Sequence, residues 1–288
     1  MSKFEFIDKG TCVCGEFLEP NNPVVINHSW GKIEFIKCNS CLTWNQSPEI
    51  TIDSIMAWYD SDDYQKGGKE GGYLNYESEE RHRKVESLLR YRRLISENKI
   101  KIGSVLEIGC ASGSFLKVLE ENGWSVTGID VSKRFCQLAK KNNIKVICGD
   151  FNKYNFENKF DLIVILGSIS NLQGVKHSIS KAYQLLKKDG CIYINYPDSI
   201  SFTSRLYGKY HWMFTPSVNT FFSSNGIKTF LKKEGFMNIR IHRDWQRPPF
   251  SKLITHARFP NIFNFKKLPI SLPIPLPIPG LRALVAQK

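Results

Sequence analysis

Val105-Leu106-Glu107-Ile108-Gly109-Cys110-Ala111-Ser112-Gly113-Ser114 is the stretch around which the rest of the chain organises. A short apolar run stops at a glycine, and a helical pattern begins at Ser114 and continues to Asn122. That is a strand, a tight turn and a helix. The glycines let a ligand come close to the backbone, opposite the N–H groups that open the helix. Outward from this turn the alternation repeats. Strands are expected at Val126 to Ile129, Lys145 to Cys148, Phe160 to Leu166, Cys191 to Tyr196, Asn238 to His242 and Arg282 to Ala286. Helices are expected at Lys133 to Asn142, Val175 to Leu186 and Ser224 to Lys233. The run from Phe160 is apolar almost throughout, as a strand buried on both faces should be. Strands alternating with helices imply a parallel sheet covered on both sides.

Three acids stand where such a sheet binds ligands. Glu107 lies inside the end of the first strand. Asp130 caps the second, where a carboxylate can accept both hydroxyls of a ribose. Asp150 with Phe151 caps the third, where an acid can accept from an adenine amino group beside an aromatic wall. On these residues the chain resembles the class I S-adenosylmethionine-dependent methyltransferases, over roughly residues 100–288. Glu107, Gly109 and Gly113 match the E/D-x-G-x-G-x-G signature, with Ala111 at the middle glycine. The resemblance implies an α/β fold: a Rossmann-like, doubly wound, seven-stranded methyltransferase sheet. It also implies S-adenosyl-L-methionine as cofactor, held by Glu107, Gly109, Cys110, Ala111, Gly113, Asp130, Asp150 and Phe151, with Tyr73 and Tyr76 folding over it.

Four of the eight cysteines, Cys12, Cys14, Cys38 and Cys41, crowd the first 41 residues. Cys38 and Cys41 have the spacing by which one tight turn offers two thiolates to a tetrahedral Zn²⁺. Cys12 and Cys14 form a shorter partner knuckle, with Gly15 after it. Two β-prone runs joined through Asn27 to Gly31 make a hairpin between the pairs. A zinc ribbon of about 40 residues is too small to bury its own core, so the metal is expected to supply the folding free energy. Four sulfurs leave no open position, which makes this Zn²⁺ structural. The expected organisation is a zinc-ribbon-like module at 1–50, a helical lead-in covering the cofactor site at 51–100, and the methyltransferase domain at 101–288. Within the lead-in, Val85, Leu88, Leu89, Arg92 and Ile95 are read as the apolar stripe of a helix over 77–98, its arginines as a solvated face. The ribbon, Ser47-Pro48-Glu49, Trp58-Tyr59-Asp60 and Tyr64 resemble a bacterial subgroup whose members commonly methylate sugars or glycans of surface polysaccharides. The block from Thr220 to Phe236 resembles that subgroup too.

One departure stands out. Where relatives often carry H-x-x-E-H, this chain has Gly167-Ser168-Ile169-Ser170-Asn171. A sugar hydroxyl has a high pKa and gains from a base, so His211 and Asp198, both after the fifth strand, become the catalytic candidates. The formal net charge of +13 favours an anionic acceptor. A basic insertion at about 245–280 lies within this surplus: residues 228–267 carry ten Lys/Arg against two acids. The expected partner is a small molecule or glycan bearing phosphate or diphosphate, with Trp245, Arg247, His256 and Arg258 on its wall. Nucleic acid is the less favoured partner, because the Asn/Asp-Pro-Pro-Tyr/Phe sequence common among base N-methylating enzymes is missing. A catalytically inactive cofactor-binding scaffold is the non-enzymatic alternative. No run of about 18 apolar residues suggests a spanning helix, and the first residues lack a secretory pattern. A cytoplasmic protein is therefore expected, with peripheral membrane contact through the Pro-rich 268–280 segment as the lesser option.

Overall fold

A computed structural model describes residues 3–61, 64, 80–98, 100–244 and 280–288. Tyr73, Tyr76 and the insertion with its Pro-rich segment lie outside the described residues.

Seven strands form the central sheet: β6 (Ser104–Ile108), β7 (Ser125–Asp130), β8 (Val146–Cys148), β9 (Phe160–Leu166), β10 (Leu186–Pro197), β12 (Met237–Arg243) and β13 (Leu281–Gln287). Their order is β12-β13-β10-β9-β6-β7-β8. The pairs from β10 to β8 are parallel, while β13 runs antiparallel to both β10 and β12. The sheet is therefore mixed, which corrects the all-parallel expectation. A parallel neighbour needs a crossover, usually helical, and the helical pattern stops before β12; a strand that returns beside it runs antiparallel.

Helices α3 (Ser114–Glu121), α4 (Lys133–Lys141), α5 (Val175–Leu185) and α7 (Ser224–Lys233) cover the sheet. Ser132 and Ser223 cap α4 and α7, accepting from Phe135 N and Gly226 N. Leu162, Val164, Ile163 and Ile165 on β9 are fully buried, and they alternate between the two cores that flank the sheet. Each such side chain contributes about 2 kcal/mol by burial, so the sheet centre is a rigid base for whatever its carboxyl edge carries.

The N-terminal residues build a short antiparallel pair, β1 (Phe6–Ile7) with β5 (Glu49–Ile50), and most of a further sheet. β2 (Val24–His28) and β3 (Gly31–Lys37) form the antiparallel hairpin expected from the sequence, and β4 (Trp44–Gln46), which was not expected, pairs antiparallel with β3. β4 also pairs with β11 (Thr220–Phe221), from far along the chain. A third core joins Ile33, Phe35, Ile55 and Trp58 to Met213, Phe214 and Phe221. Helix α1 (Ile52–Tyr59) leads from this layer toward the sheet edge, and α2 (Glu80–Asn98) packs on α3. Among the described residues no helix is long and apolar enough to cross a membrane.

Candidate active site

The carboxyl ends of β6, β7, β8 and β9 border an open cleft of about 360 Å³. Glu107, Gly109, Cys110, Ala111, Asp130, Asp150 and Phe151 all line it. Gly109 N donates to Ile129 O at 2.8 Å, carrying the strand ladder into the turn. Its φ is +73°, and a Cβ there would lie 2.6 Å from Ser168. Ser168 cannot easily retreat, since its Oγ donates to Ile108 O at 2.8 Å. Gly109→Ala is therefore expected to displace the turn and weaken S-adenosylhomocysteine binding by about tenfold or more, read by calorimetry. Unchanged affinity would show that the turn does not meet the ligand.

Asp130 holds the next part of the turn. One carboxylate oxygen accepts from Ala111 N and the other from Ser132 N, each at 2.9 Å. Burial pushes its pKa up, and these N–H donors oppose that. Ala111 adopts φ +48°, a cost this bond offsets. Glu107 is buried, and its Oε2 has no hydrogen-bond partner among the described residues. Burial raises its pKa to about 8, with Arg90 pulling it down and Asp130 pushing it up. Burial likewise raises the Cys110 thiol. Gly113 sits behind the cleft: it caps α3 in a left-handed conformation, close against Ile144. Asp150 accepts from Asn152 N at 2.8 Å, and Lys181 Nζ pins that loop through the carbonyls of Phe151, Asn152 and Tyr154.

Helix α2 supplies what the sequence reading missed. Val85, placed on its apolar stripe, is 51% exposed, whereas Ser87 and Leu94 are buried. The inward face runs through Arg83, Ser87, Arg90 and Leu94, at spacings of four, three and four. Arg83 and Arg90 line the cleft, so they are not a solvated face. Arg90 lies 3.6 Å from Asp244, and burial is outweighed by Asp244 and other acids that hold its charge. Glu80 accepts from Ser112 Oγ and Ser114 Oγ at 3.2 and 2.7 Å, which fastens α2 to the glycine turn. The 83-87-90-94 register could have exposed this, but charge at three-to-four spacing resembles a solvated face. Tyr59, Tyr64, Asn171 and Asn195 complete the wall; Asn171 Nδ2 donates to Tyr59 Oη at 3.2 Å.

His211 and Asp198 lie elsewhere. Neither lines the cleft. Asp198 is 1% exposed and accepts from Ile200 N, Ser224 N, Ser224 Oγ and Arg282 Nε. His211 is stacked against Trp212 and Phe221, with Nδ1 accepting from Met213 N. Both are tied into the fold outside the described cleft, and their expected part as bases draws no support from this geometry. Burial lowers the His211 pKa to about 3. Unfolded chain takes up a proton there near pH 6.5, while folded chain refuses it until about pH 3. Stability from this residue is thus complete above pH 6.5 and lost as pH falls toward 3. His211→Gln is expected to flatten that acid limb of thermal stability while leaving the pH profile of methyl transfer unmoved. A shifted rate profile would restore the catalytic role.

The cysteines of the first 41 residues do come together. The sulfurs of Cys12, Cys14, Cys38 and Cys41 lie within 4.8 Å of one another, and all four residues are buried. Cys12 Sγ is 3.5 Å from Cys41 Sγ, and Cys14 Sγ is 3.6 Å from Cys38 Sγ. A tetrahedron with Zn–S bonds near 2.3 Å has edges of about 3.8 Å.

A family model described as a methyltransferase domain matches residues 78–241. The chain belongs to that family, and its sheet and cleft are those of an S-adenosylmethionine-dependent methyltransferase domain. An uncharacterized protein, MJ1123, of Methanocaldococcus jannaschii is 32% identical over 141 residues, 48% of this chain and 66% of that protein. Malonyl-[acyl-carrier protein] O-methyltransferase of Priestia megaterium is 30% identical over 95 residues, 31% of this chain and 35% of that enzyme. The chain thus spans less than two thirds of either relative. The structure of magnesium protoporphyrin IX methyltransferase (ChlM) from Synechocystis PCC 6803, with bound SAH, superposes with a TM-score of 0.54 at 14% identity. It covers 83% of this chain and 100% of that one, a likeness of fold.

Proposed function

We propose that the protein O-methylates a sugar, or a phosphorylated or nucleotide-linked glycan precursor, in surface polysaccharide biosynthesis, using S-adenosyl-L-methionine. The observation that carries the cofactor assignment is Glu107 Oε2, a buried acceptor at the cleft without a hydrogen-bond partner among the described residues, whose carboxyl answers to a cationic ligand by ionising. Asp130 takes the ribose hydroxyls, Asp150 and Phe151 the adenine, and the Gly109–Ala111 backbone with Arg83 and Arg90 the carboxylate end. When bound, the cofactor supplies a methyl group on an excellent sulfonium leaving group. The chain's share is then chiefly orientation and exclusion of water. Tyr59 and Tyr64, ring centroids 4.8 Å apart, offer apolar faces with polar tips suited to a sugar. The net charge of +13 favours a phosphate on that acceptor.

The four-cysteine cluster is read as a structural Zn²⁺ site at the heart of a 1–50 module, followed by a lead-in at 51–100 and the methyltransferase domain at 101–288. Its buried sulfurs and near-tetrahedral spacing support this.

The test incubates the protein with S-adenosylmethionine and panels of nucleotide-linked sugars and lipid-linked glycans, followed by mass spectrometry. A mass gain of one CH2 on a glycan is the expected result. Methyl incorporation into bulk tRNA instead, lost steeply as salt rises, would overturn the glycan reading.

A further inference from the structure

After β10 the chain enters α6 (Phe202–Tyr207). Ser201 caps this helix, Thr203 and Ser204 are buried, and Ser204 Oγ donates to Asp198 O at 2.7 Å. These contacts fix which side faces outward. On that side Phe202 is 76% exposed and Leu206, one turn on, is 68% exposed. Arg205 lies exposed between them, and the following turn adds exposed Lys209 and Tyr210, with Lys209 Nζ 5.3 Å from the Tyr210 ring centroid. The described residues leave these apolar side chains uncovered. Leaving two large apolar side chains in water one helical turn apart forgoes burial that either could have gained.

The charge along this helix and turn is of one sign: from Ser199 to Tyr210 the chain carries Arg205 and Lys209 and no Asp or Glu. Lysine is depleted at protein–protein interfaces. At a bilayer surface its stem lies along apolar groups while its ammonium meets lipid phosphate. Apolar side chains interleaved with basic ones are the pattern that lies in the headgroup region and favours anionic lipid. The element follows β10 at the carboxyl edge of the sheet, the edge on which the cleft opens.

We infer that Phe202, Leu206 and Tyr210, flanked by Arg205 and Lys209, dock the protein on an anionic lipid surface. The inference stands apart from the identity of the methyl acceptor. It is tested by co-sedimenting the full chain with vesicles of phosphatidylcholine and phosphatidylglycerol in equal parts, and with phosphatidylcholine alone. The wild type is expected to bind the mixed vesicles, to bind less as KCl rises, and to leave pure phosphatidylcholine unbound. Phe202→Ser with Leu206→Ser is expected to cut partitioning roughly tenfold or more, and Arg205→Glu with Lys209→Glu to abolish it. Partitioning that ignores these substitutions, or equal binding to both vesicles, overturns the inference. So does a concentration-dependent dimer that Phe202→Ser and Leu206→Ser dissolve, which would assign the face to a second copy. A marked loss of thermal stability in the same variant would assign it to the chain itself, and overturns the inference too.

Discussion

Asp130→Ala is expected to weaken S-adenosylhomocysteine binding by about a hundredfold or more. The carboxylate has room for about four hydrogen bonds, and the backbone N–H groups of Ala111 and Ser132 take two of them. The remaining lone pairs border the cleft, where a ribose would present its hydroxyls. Hydrogen bonds to a charged acceptor contribute about 1.5–3 kcal/mol each, so losing two toward the ligand alone costs about two to four powers of ten. Truncation does further harm: Ala111 at φ +48° loses the bond that offsets its strain, and the turn is released from β7. Asp130→Asn keeps the shape and one acceptor, so a smaller loss, about tenfold, is expected. Calorimetry on both variants, with thermal melts to confirm folding, makes the comparison. Near-wild-type affinity in Asp130→Ala would remove the cofactor assignment from this cleft.

That prediction was accessible from sequence because the residues behind it obey local rules. A glycine turn after a buried strand, and acids at strand ends, are fixed within ten residues of chain, and β6 to β9 lie close to where their patterns put them. Long-range geometry was less legible. Asp198 and His211 sit after β10, on the correct edge of the sheet, yet Asp198 is consumed by Ser224 and Arg282 from distant segments, and His211 by aromatic stacking on Phe221. Position along the chain says which edge a residue occupies and not what saturates it. Arg90 failed in the opposite direction. Its charge suggested solvent, but Asp244, more than 150 residues away, lets it be buried beside the cleft. The pairing of β4 with β11 was equally hidden, since three- and two-residue strands carry almost no pattern.

Removing a cysteine of the cluster proposed as a Zn²⁺ site is expected to have the largest effect on stability. Purified protein should contain a single zinc ion per chain by atomic emission, and Cys38→Ser should lose it. Structural Zn²⁺ contributes about 10–16 kcal/mol to the folding of small modules, and here the cluster is tied into the rest of the chain. Lys233 Nζ on α7 donates to Cys14 O, Ser223 Oγ to Cys41 O, and Ser199 Oγ to Leu42 O at 3.0 Å. Gly226 at the start of α7 leaves no space for a Cβ against Thr43 and Cys41. Loosening the knuckles therefore loosens the cap of α7 and the strand pairing of β4 with β11. A loss of several kcal/mol in a chain of this size lowers Tm by about 10 °C or more. Cys148→Ser is the matched control, because that exposed thiol lies outside the cluster and should leave both zinc content and Tm unchanged. Metal-free protein that melts at the same temperature as the zinc-loaded form would reduce the four thiols to an ordinary buried cluster. The attachment of the N-terminal layer would then rest on the pairing of β4 with β11, on hydrogen bonds such as Gln46 Nε2 to Val218 O, and on the core around Phe35, Trp58, Phe214 and Phe221.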